Sequence, residues 1–258
     1  MKLNNYALVT GAASGLGAAL SERLINEDYI VIGIDQSQDW PVRLQKKFNS
    51  NFIPICLDLK NTQELHGLKS EIEGITDKLD LVVFNAGLNH CGRFFSNLKV
   101  HLDVINTNLI SQLIMISELE TFLKKDSQIL VISSTASLKP SYFQISYGLS
   151  KSSLNYFWRS IRKELRQKGI SVTLAVVCAF KSPFLHKGNM DLSRHPRLLP
   201  LDYVAGKCIR AISRKRRYVF IGVRSKLQYI VFNLVGWRVG DCLTRFLNRK
   251  ESFDLFDR

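Results

Sequence analysis

With 258 residues and 46% hydrophobic content, the chain can enclose a full core as one α/β domain. Its net charge of +14 is uneven: residues 1–186 carry 20 Lys/Arg against 16 Asp/Glu, and residues 187–258 carry 16 against 6, so the excess sits in the last quarter. The five cysteines (Cys56, Cys91, Cys178, Cys208, Cys242) are odd in number and form no CxxC pair, which argues for reduced thiols over a disulfide framework, and the five histidines show no metal-ligand spacing.

The opening "MKLNNYALVT" passes within five residues into a first strand, "YALVT", with no secretory signal before it. A helix from Gly15 to Asp28 leads to a second strand, "YIVIGID". A helix near Trp40–Asn49 leads to "NFIPICLDL", and one near Thr62–Ile75 to "LDLVVFNAG". The run from His101 to Leu123 precedes "QILVISS", and Ser146–Gln167 precedes "SVTLAVV". A last helix near Asp202–Ser213 leads into "YVFIG". Seven short β-branched runs alternating with amphipathic ones predict a parallel sheet covered by helices on both faces. No apolar run of eighteen residues is present, so a spanning helix is not expected.

In such sheets ligands bind beyond the carboxyl ends of the strands, where strand order reverses. The polar and glycine-rich residues fall there. "TGAASGLG", Thr10–Gly17, joins the first strand to the first helix. Gly11 suits a tight turn, Gly15 and Gly17 allow close backbone approach, and the helix start offers N–H groups to a pyrophosphate. Asp35 ends the second strand, where a carboxylate can accept hydrogen bonds from ribose hydroxyls and repel a 2′-phosphate. Neither Ser14 nor Gln36, Ser37 and Gln38 offers that phosphate a cation, so NAD(H) is expected over NADP(H). Asp58 ends the third strand. "SYGLSK" sets Tyr147 and Lys151 four residues apart, on one face of a helix. Free tyrosine titrates near ~10, and a cation beside it favours the phenolate.

These motifs resemble those of the short-chain dehydrogenase/reductase family over roughly residues 3–222. The residues that carry the resemblance are TGxxxGxG at Thr10–Gly17, Asn85-Ala86-Gly87 after the fourth strand, and YxxxK at Tyr147–Lys151. Ser134 stands thirteen residues before the tyrosine, and Asn108, followed by Leu-x-small, fits the family's helix asparagine better than Asn106. The resemblance implies a Rossmann-like, doubly wound α/β fold with residues 1–222 as the NAD(P)-binding and catalytic domain, and 223–258 as a basic amphipathic extension of it. It implies Asn108, Ser134, Tyr147 and Lys151 as the catalytic set. Ser134 would hold the substrate oxygen, Tyr147 would exchange its proton, Lys151 would lower the Tyr147 pKa and bond the nicotinamide ribose, and Asn108 would hold a relay water. Cofactor contacts would come from Gly11, Ser14, Gly15, Leu16, Gly17, Asp35, Asp58, Leu59, Asn85, Ala86 and Gly87, with no metal. One departure stands out: "VVCAFKSPF" has Cys178-Ala179 where the family has Pro-Gly, with one residue fewer before Ser182.

The expected function is NAD(H)-dependent interconversion of a secondary alcohol and a ketone by a cytoplasmic homo-oligomer, the apolar tail pointing to a hydrophobic compound. The alternatives are an NADPH-preferring carbonyl or 3-oxoacyl reductase and a dinucleotide-binding sensor without turnover, the latter disfavoured by an intact Ser134, Tyr147 and Lys151. In the tail, Leu227, Ile230, Val231 and Leu234 form a helical stripe widened by Phe232, Val235 and Val239. Arg214–Arg217, Arg224, Lys226, Arg238, Arg245, Arg249 and Lys250 surround it. This suits an anionic membrane surface at the inner face, and packing on the cleft or on a second subunit is the alternative. Aromatic residues embedded in apolar runs argue against nucleic acid.

Overall fold

The computed structural model describes residues 5–47, 50–141, 143–187 and 198–234. Seven strands form one sheet: β1 (Asn5–Thr10), β2 (Tyr29–Asp35), β3 (Phe52–Cys56), β4 (Leu81–Phe84), β5 (Gln128–Ser134), β6 (Ser171–Val177) and β7 (Tyr218–Ile221). All pairs are parallel, and the spatial order is β3-β2-β1-β4-β5-β6-β7. The central strands are near-continuous apolar runs because both faces are covered. Helices α1 (Gly15–Asn26) and α2 (Val42–Gln45) follow β1 and β2. Helix α3 (Leu68–Glu73) precedes β4, and α4 (Leu98–Ile105) and α5 (Ser111–Glu118) precede β5. Helices α6 (Ile145–Gln167), α7 (Pro183–Lys187), α8 (Leu201–Ser213) and α9 (Val223–Leu234) complete the described set.

Alternation along each strand sends Ala7, Val9, Val31, Leu81 and Val83 to the face under α1 and α8. Leu8, Ile32, Ile34, Val82 and Phe84 face α3, α5 and α6, where Trp158 is fully buried against Phe84 and donates to Gln112 Oε1 at 3.1 Å. Each such side chain removed from water contributes about 1.5–3 kcal/mol.

Several helices differ from the sequence expectation, for local reasons. Helix α1 stops at Asn26 because Asp28 takes a left-handed φ of 64°. The expected Trp40–Asn49 helix shrinks to one turn: Pro41 precedes it, and Trp40 is drawn into the core edge-on to Phe52 at 5.3 Å. The Thr62–Ile75 segment is a 3-10 turn (Glu64–Gly67) followed by α3. The expected His101–Leu123 helix starts earlier, at Leu98 with Asn97 as its cap, and is broken by a π turn over Asn106–Ile110. Such turns recur at functional positions. Asp58 and Leu59, expected in the third strand, lie just past β3, and Asn85–Gly87 lie past β4. No element was expected at α7.

Helix α9 packs on β7, with Tyr229 ring-to-ring on Phe220 at 4.6 Å and on Tyr218 at 6.3 Å. Leu227 and Ile230 of the expected tail stripe are exposed. The side chains of Arg224, Val231, Phe232 and Leu234, and all residues from Val235 onward (including Arg238, Val239, Arg245, Arg249 and Lys250), lie outside the described residues. Among the described residues no helix is long and apolar enough to cross a membrane.

Candidate active site

The cleft opens at the carboxyl ends of β1 and β4, where the strand order reverses. The turn after β1 is built from backbone. Gly11 takes φ 69°, and its N–H donates to Ile34 O at 2.8 Å. A Cβ on Gly17 would fall on the Gly11 carbonyl, far inside contact distance, so only glycine lets helix and turn approach this closely. Ser14 caps α1 without a side-chain hydrogen bond, leaving the first-turn N–H groups without a side-chain acceptor. This cradle fits a pyrophosphate at a helix start. Leu16, from the same motif, is buried in the core.

Asp35, at the end of β2, leans back over this turn. Its Oδ2 accepts from Ala13 N at 3.0 Å and its Oδ1 from Ser37 N at 3.0 Å. The carboxylate is half-buried, with lone pairs left for ribose hydroxyls. Asp58 caps the turn after β3 by accepting from Lys60 N at 3.0 Å, and pairs with Lys60 Nζ at 3.3 Å. The Leu59 side chain is core.

The turn after β4 hangs on Thr10. Its hydroxyl accepts from both Asn85 N and Ala86 N at 3.0 Å and donates to Val83 O at 3.3 Å. Asn85 Nδ2 returns a bond to Thr10 O at 3.0 Å. Thr10 was visible only as a motif letter; its role in joining β1 to β4 needed the strand order.

Asn108 sits in the π turn, fully buried. Its Oδ1 accepts from Leu88 N at 2.7 Å, and its Nδ2 donates to Leu88 O at 2.9 Å and to Ser150 Oγ at 3.0 Å. The asparagine therefore clamps the chain leaving β4 to α6. Ser150, between Tyr147 and Lys151, is a partner to which no motif points. Gly87 makes this approach possible: a Cβ there would stand 3.1 Å from Asn108 Oδ1 and 3.7 Å from Lys151 Nζ.

Ser134 ends β5, and Tyr147 and Lys151 lie one turn apart on α6. The Ser134 hydroxyl shares a hydrogen bond with the Tyr147 phenol and accepts from Ala136 N at 3.1 Å. Its loop is tied to α6 by Asn155 Nδ2 donating to Ser137 Oγ at 2.8 Å. Lys151 is buried, donates to Ile132 O at 2.9 Å, and stands 5.9 Å from the Tyr147 ring centre. The expected lowering of the Tyr147 pKa by Lys151 is not what this arrangement gives. Burial pushes the phenol up to about 12, the Ser134 bond opposes the rise, and Cys91 adds to it. Burial also pulls the Lys151 amine down to about 8, so desolvation outweighs the cation's effect on its neighbour.

The departure at Cys178-Ala179 is absorbed locally. Lys181 N donates to Leu199 O at 2.9 Å, and Phe180 bridges Leu199 in parallel, strapping the segment to the chain before α8. Helix α7 then places Phe184 5.8 Å from the Tyr147 ring, with Pro183 and Ser182 beside Gly15. Among the described residues no cluster of three or more His, Cys, Asp or Glu could hold a metal.

Comparison with known proteins agrees with this geometry. Residues 5–192 match the family model described as short chain dehydrogenase. The 3-oxoacyl-acyl-carrier-protein reductase FabG of Buchnera aphidicola (from Acyrthosiphon pisum) is 28% identical over 85% of this chain and 94% of its own. A ketoacyl reductase of Nostoc, HetN, is 29% identical over 83% of this chain and 77% of its own. Among solved structures, a short chain dehydrogenase from Burkholderia cenocepacia in complex with NADP superposes with a TM-score of 0.79 at 16% identity, covering 98% of this chain and 100% of that one.

Proposed function

The chain belongs to the short chain dehydrogenase family of oxidoreductases, and on that premise we propose that it interconverts a ketone and a secondary alcohol with NAD(H), Tyr147 exchanging the proton. The observation that carries this reading is the convergence of Ser134, Tyr147 and Lys151: a buried phenol bonded to a serine hydroxyl, with a buried amine one helical turn away. A bound nicotinamide supplies or accepts the hydride. Ser134 orients the substrate oxygen toward the phenol. Tyr147, held protonated by burial, donates its proton in reduction and, as phenolate, accepts one in oxidation. The charge of Lys151 stabilises the phenolate left by reduction, and Asn108 fixes the Leu88 backbone and Ser150 around them. Gly11, Ser14, Gly15, Leu16 and Gly17 would receive the pyrophosphate, Asp35 the ribose hydroxyls, and Asp58 and Leu59 the adenine. Asn85, Ala86 and Gly87 would wall the nicotinamide side, with Tyr147 and Lys151 bonding its ribose.

The preference for NAD(H) rests on Asp35, whose described bonds come from two backbone amides and none from a cation. A 2′-phosphate placed beside that carboxylate meets like charge, so NADP(H) should bind at least about a hundredfold more weakly than NAD(H). Titration with both cofactors, followed by turnover of a panel of ketones and secondary alcohols, tests the reading. Equal affinities would remove the preference, and no turnover with either cofactor would remove the activity. An NADPH-dependent 3-oxoacyl reductase is the second reading: the Buchnera and Nostoc relatives are named as 3-oxoacyl and ketoacyl reductases, and the Burkholderia structure is a complex with NADP.

A cytoplasmic enzyme that docks on an anionic membrane completes the proposal. Val223, Leu227 and Ile230, at i, i+4 and i+7 of α9, are 88%, 60% and 41% exposed. Arg214, Lys215, Arg216 and Arg217 are exposed on the turn before β7, the strand α9 covers. Apolar insertion and attraction to acidic lipid would act together, the second weakening with salt. Co-sedimentation should show binding to acidic vesicles, less to neutral ones, and release by high salt. Loss should follow truncation after Gly222 or the double substitution Leu227→Gln with Ile230→Gln. Failure of the full chain to bind acidic vesicles at low salt ends this part of the proposal.

A further inference from the structure

His101, on α4, is fully buried, and both its ring nitrogens have partners. Nε2 lies 3.3 Å from the carbonyl oxygen of Arg93, and Nδ1 lies 2.9 Å from Ser146 Oγ. A carbonyl can only accept, so Nε2 carries the proton and donates to it; Nδ1 then accepts from the Ser146 hydroxyl. The ring is boxed by His90, edge-on at 5.0 Å, and by Phe94 at 5.1 Å.

The two partners belong to different walls of the cleft. Arg93 is in the loop leaving β4, which also carries Asn89 and Cys91; Cys91 is close enough to raise the Tyr147 pKa. Ser146 is the residue before Tyr147, in the first turn of α6. Two lesser ties run alongside: Gly92 N donates to Phe143 O at 2.9 Å, and Gln144 Nε2 to Asn89 Oδ1 at 3.3 Å. Both ties join residues outside the helices, whereas His101 stands on a helix whose continuation holds Asn108. We propose that His101 is a positioning residue, locking the 88–97 loop to the amino end of α6 so that the substrate side of the cleft and Tyr147 move as one body. The proposal rests on Tyr147 being the proton-transfer residue only for its consequence in turnover; the coupling itself does not depend on it.

His101→Phe keeps a flat ring and removes both nitrogens, Ser146→Ala removes one leg, and His101→Gln restores a donor and an acceptor. Hydrogen exchange reads the coupling without substrate. His101→Phe should speed exchange by about tenfold at Gly92 and at Gly148, whose N–H donates to Gln144 O at 2.7 Å, while Val131 in β5 is unchanged. With whichever ketone the panel identifies, KM should rise about tenfold with kcat falling less and cofactor affinity unchanged. Ser146→Ala should move the same readouts less, and add nothing in the His101→Phe background. His101→Gln should recover part of the loss. Acceleration at Gly92 without Gly148 would overturn the coupling, as would acceleration throughout the sheet or fully multiplicative effects of the two substitutions. If no ketone is turned over, the functional reading falls, and the exchange pattern still decides this one.

Discussion

On the β1–β2 side of the cleft the contacts are made largely by backbone: Gly11 N to Ile34 O, Ala13 N to Asp35, and Gly17 packed on the Gly11 carbonyl. On the β4–β6 side they are made by side chains from segments far apart in sequence: Asn108 to Leu88 and Ser150, His101 to Ser146, and Phe184 over Tyr147. A backbone-built pocket tolerates few residue types and serves any ligand sharing the same phosphate geometry. A side-chain-built wall can change residue by residue, and with it the substrate. On the proposed reading, pyrophosphate and adenosine binding belong to the first side and proton transfer to the second.

The largest test of that separation is Tyr147→Phe. It keeps the ring that packs near Phe184 and removes the proton, so turnover should fall by at least ~10²-fold while cofactor binding largely survives. Parallel titration and kinetics check it; barely changed turnover would break the division of labour. Next comes Gly17→Ala, which acts on the other side. Pressing a methyl onto the Gly11 carbonyl should cost about 1–3 kcal/mol of stability or displace the turn, read as a lower melting temperature with weakened cofactor affinity.

The smallest effect is in pH. Tyr147 at about 12 stays protonated across the working range, whereas Lys151 at about 8 loses its charge within it. Reduction should therefore be level below pH 8 and decline above it as the amine stops stabilising the phenolate. Oxidation, which needs the phenolate, should rise with pH. Initial rates in both directions from pH 6 to 10 would show the divergence (a range of about four units, ample for a single titration). Parallel profiles would mean the two groups do not act as assigned.

The same division explains what could be read from the sequence. The glycine turn, the acid closing β2 and the Tyr147–Lys151 spacing were legible because each is a local rule: a turn, a strand end, a helical pitch. The seven strands were legible because runs such as "QILVISS" and "SVTLAVV" are dominated by apolar and β-branched residues. The break in α4–α5 was not, since nothing in "VINTNLIS" forbids a continuous helix until Asn108 is drawn to Leu88. Nor was the bond from His101 to Ser146, or the hydroxyl of Thr10 holding two amides of the β4 turn, because these depend on which strands become neighbours. The Tyr147 pKa departs from the expectation for a related reason: the cation is a feature of sequence spacing, but the burial that overrides it is a feature of packing.

The strand order has a further consequence, for how the chain is made. The first strand synthesised lies inside the sheet, flanked by β2 and β4, and β5, β6 and β7 are then added to one edge in the order they leave the ribosome. At each stage the newest strand is the open edge. An arrest after β4 would expose Leu81-Val82-Val83-Phe84, four residues entirely buried in the finished protein and without a charge among them. That is the composition of an edge that pairs with other chains. Slowed or truncated synthesis between Phe84 and Gln128 should accordingly yield aggregates, whereas interruption after β7 leaves an edge that α9 is still to cover.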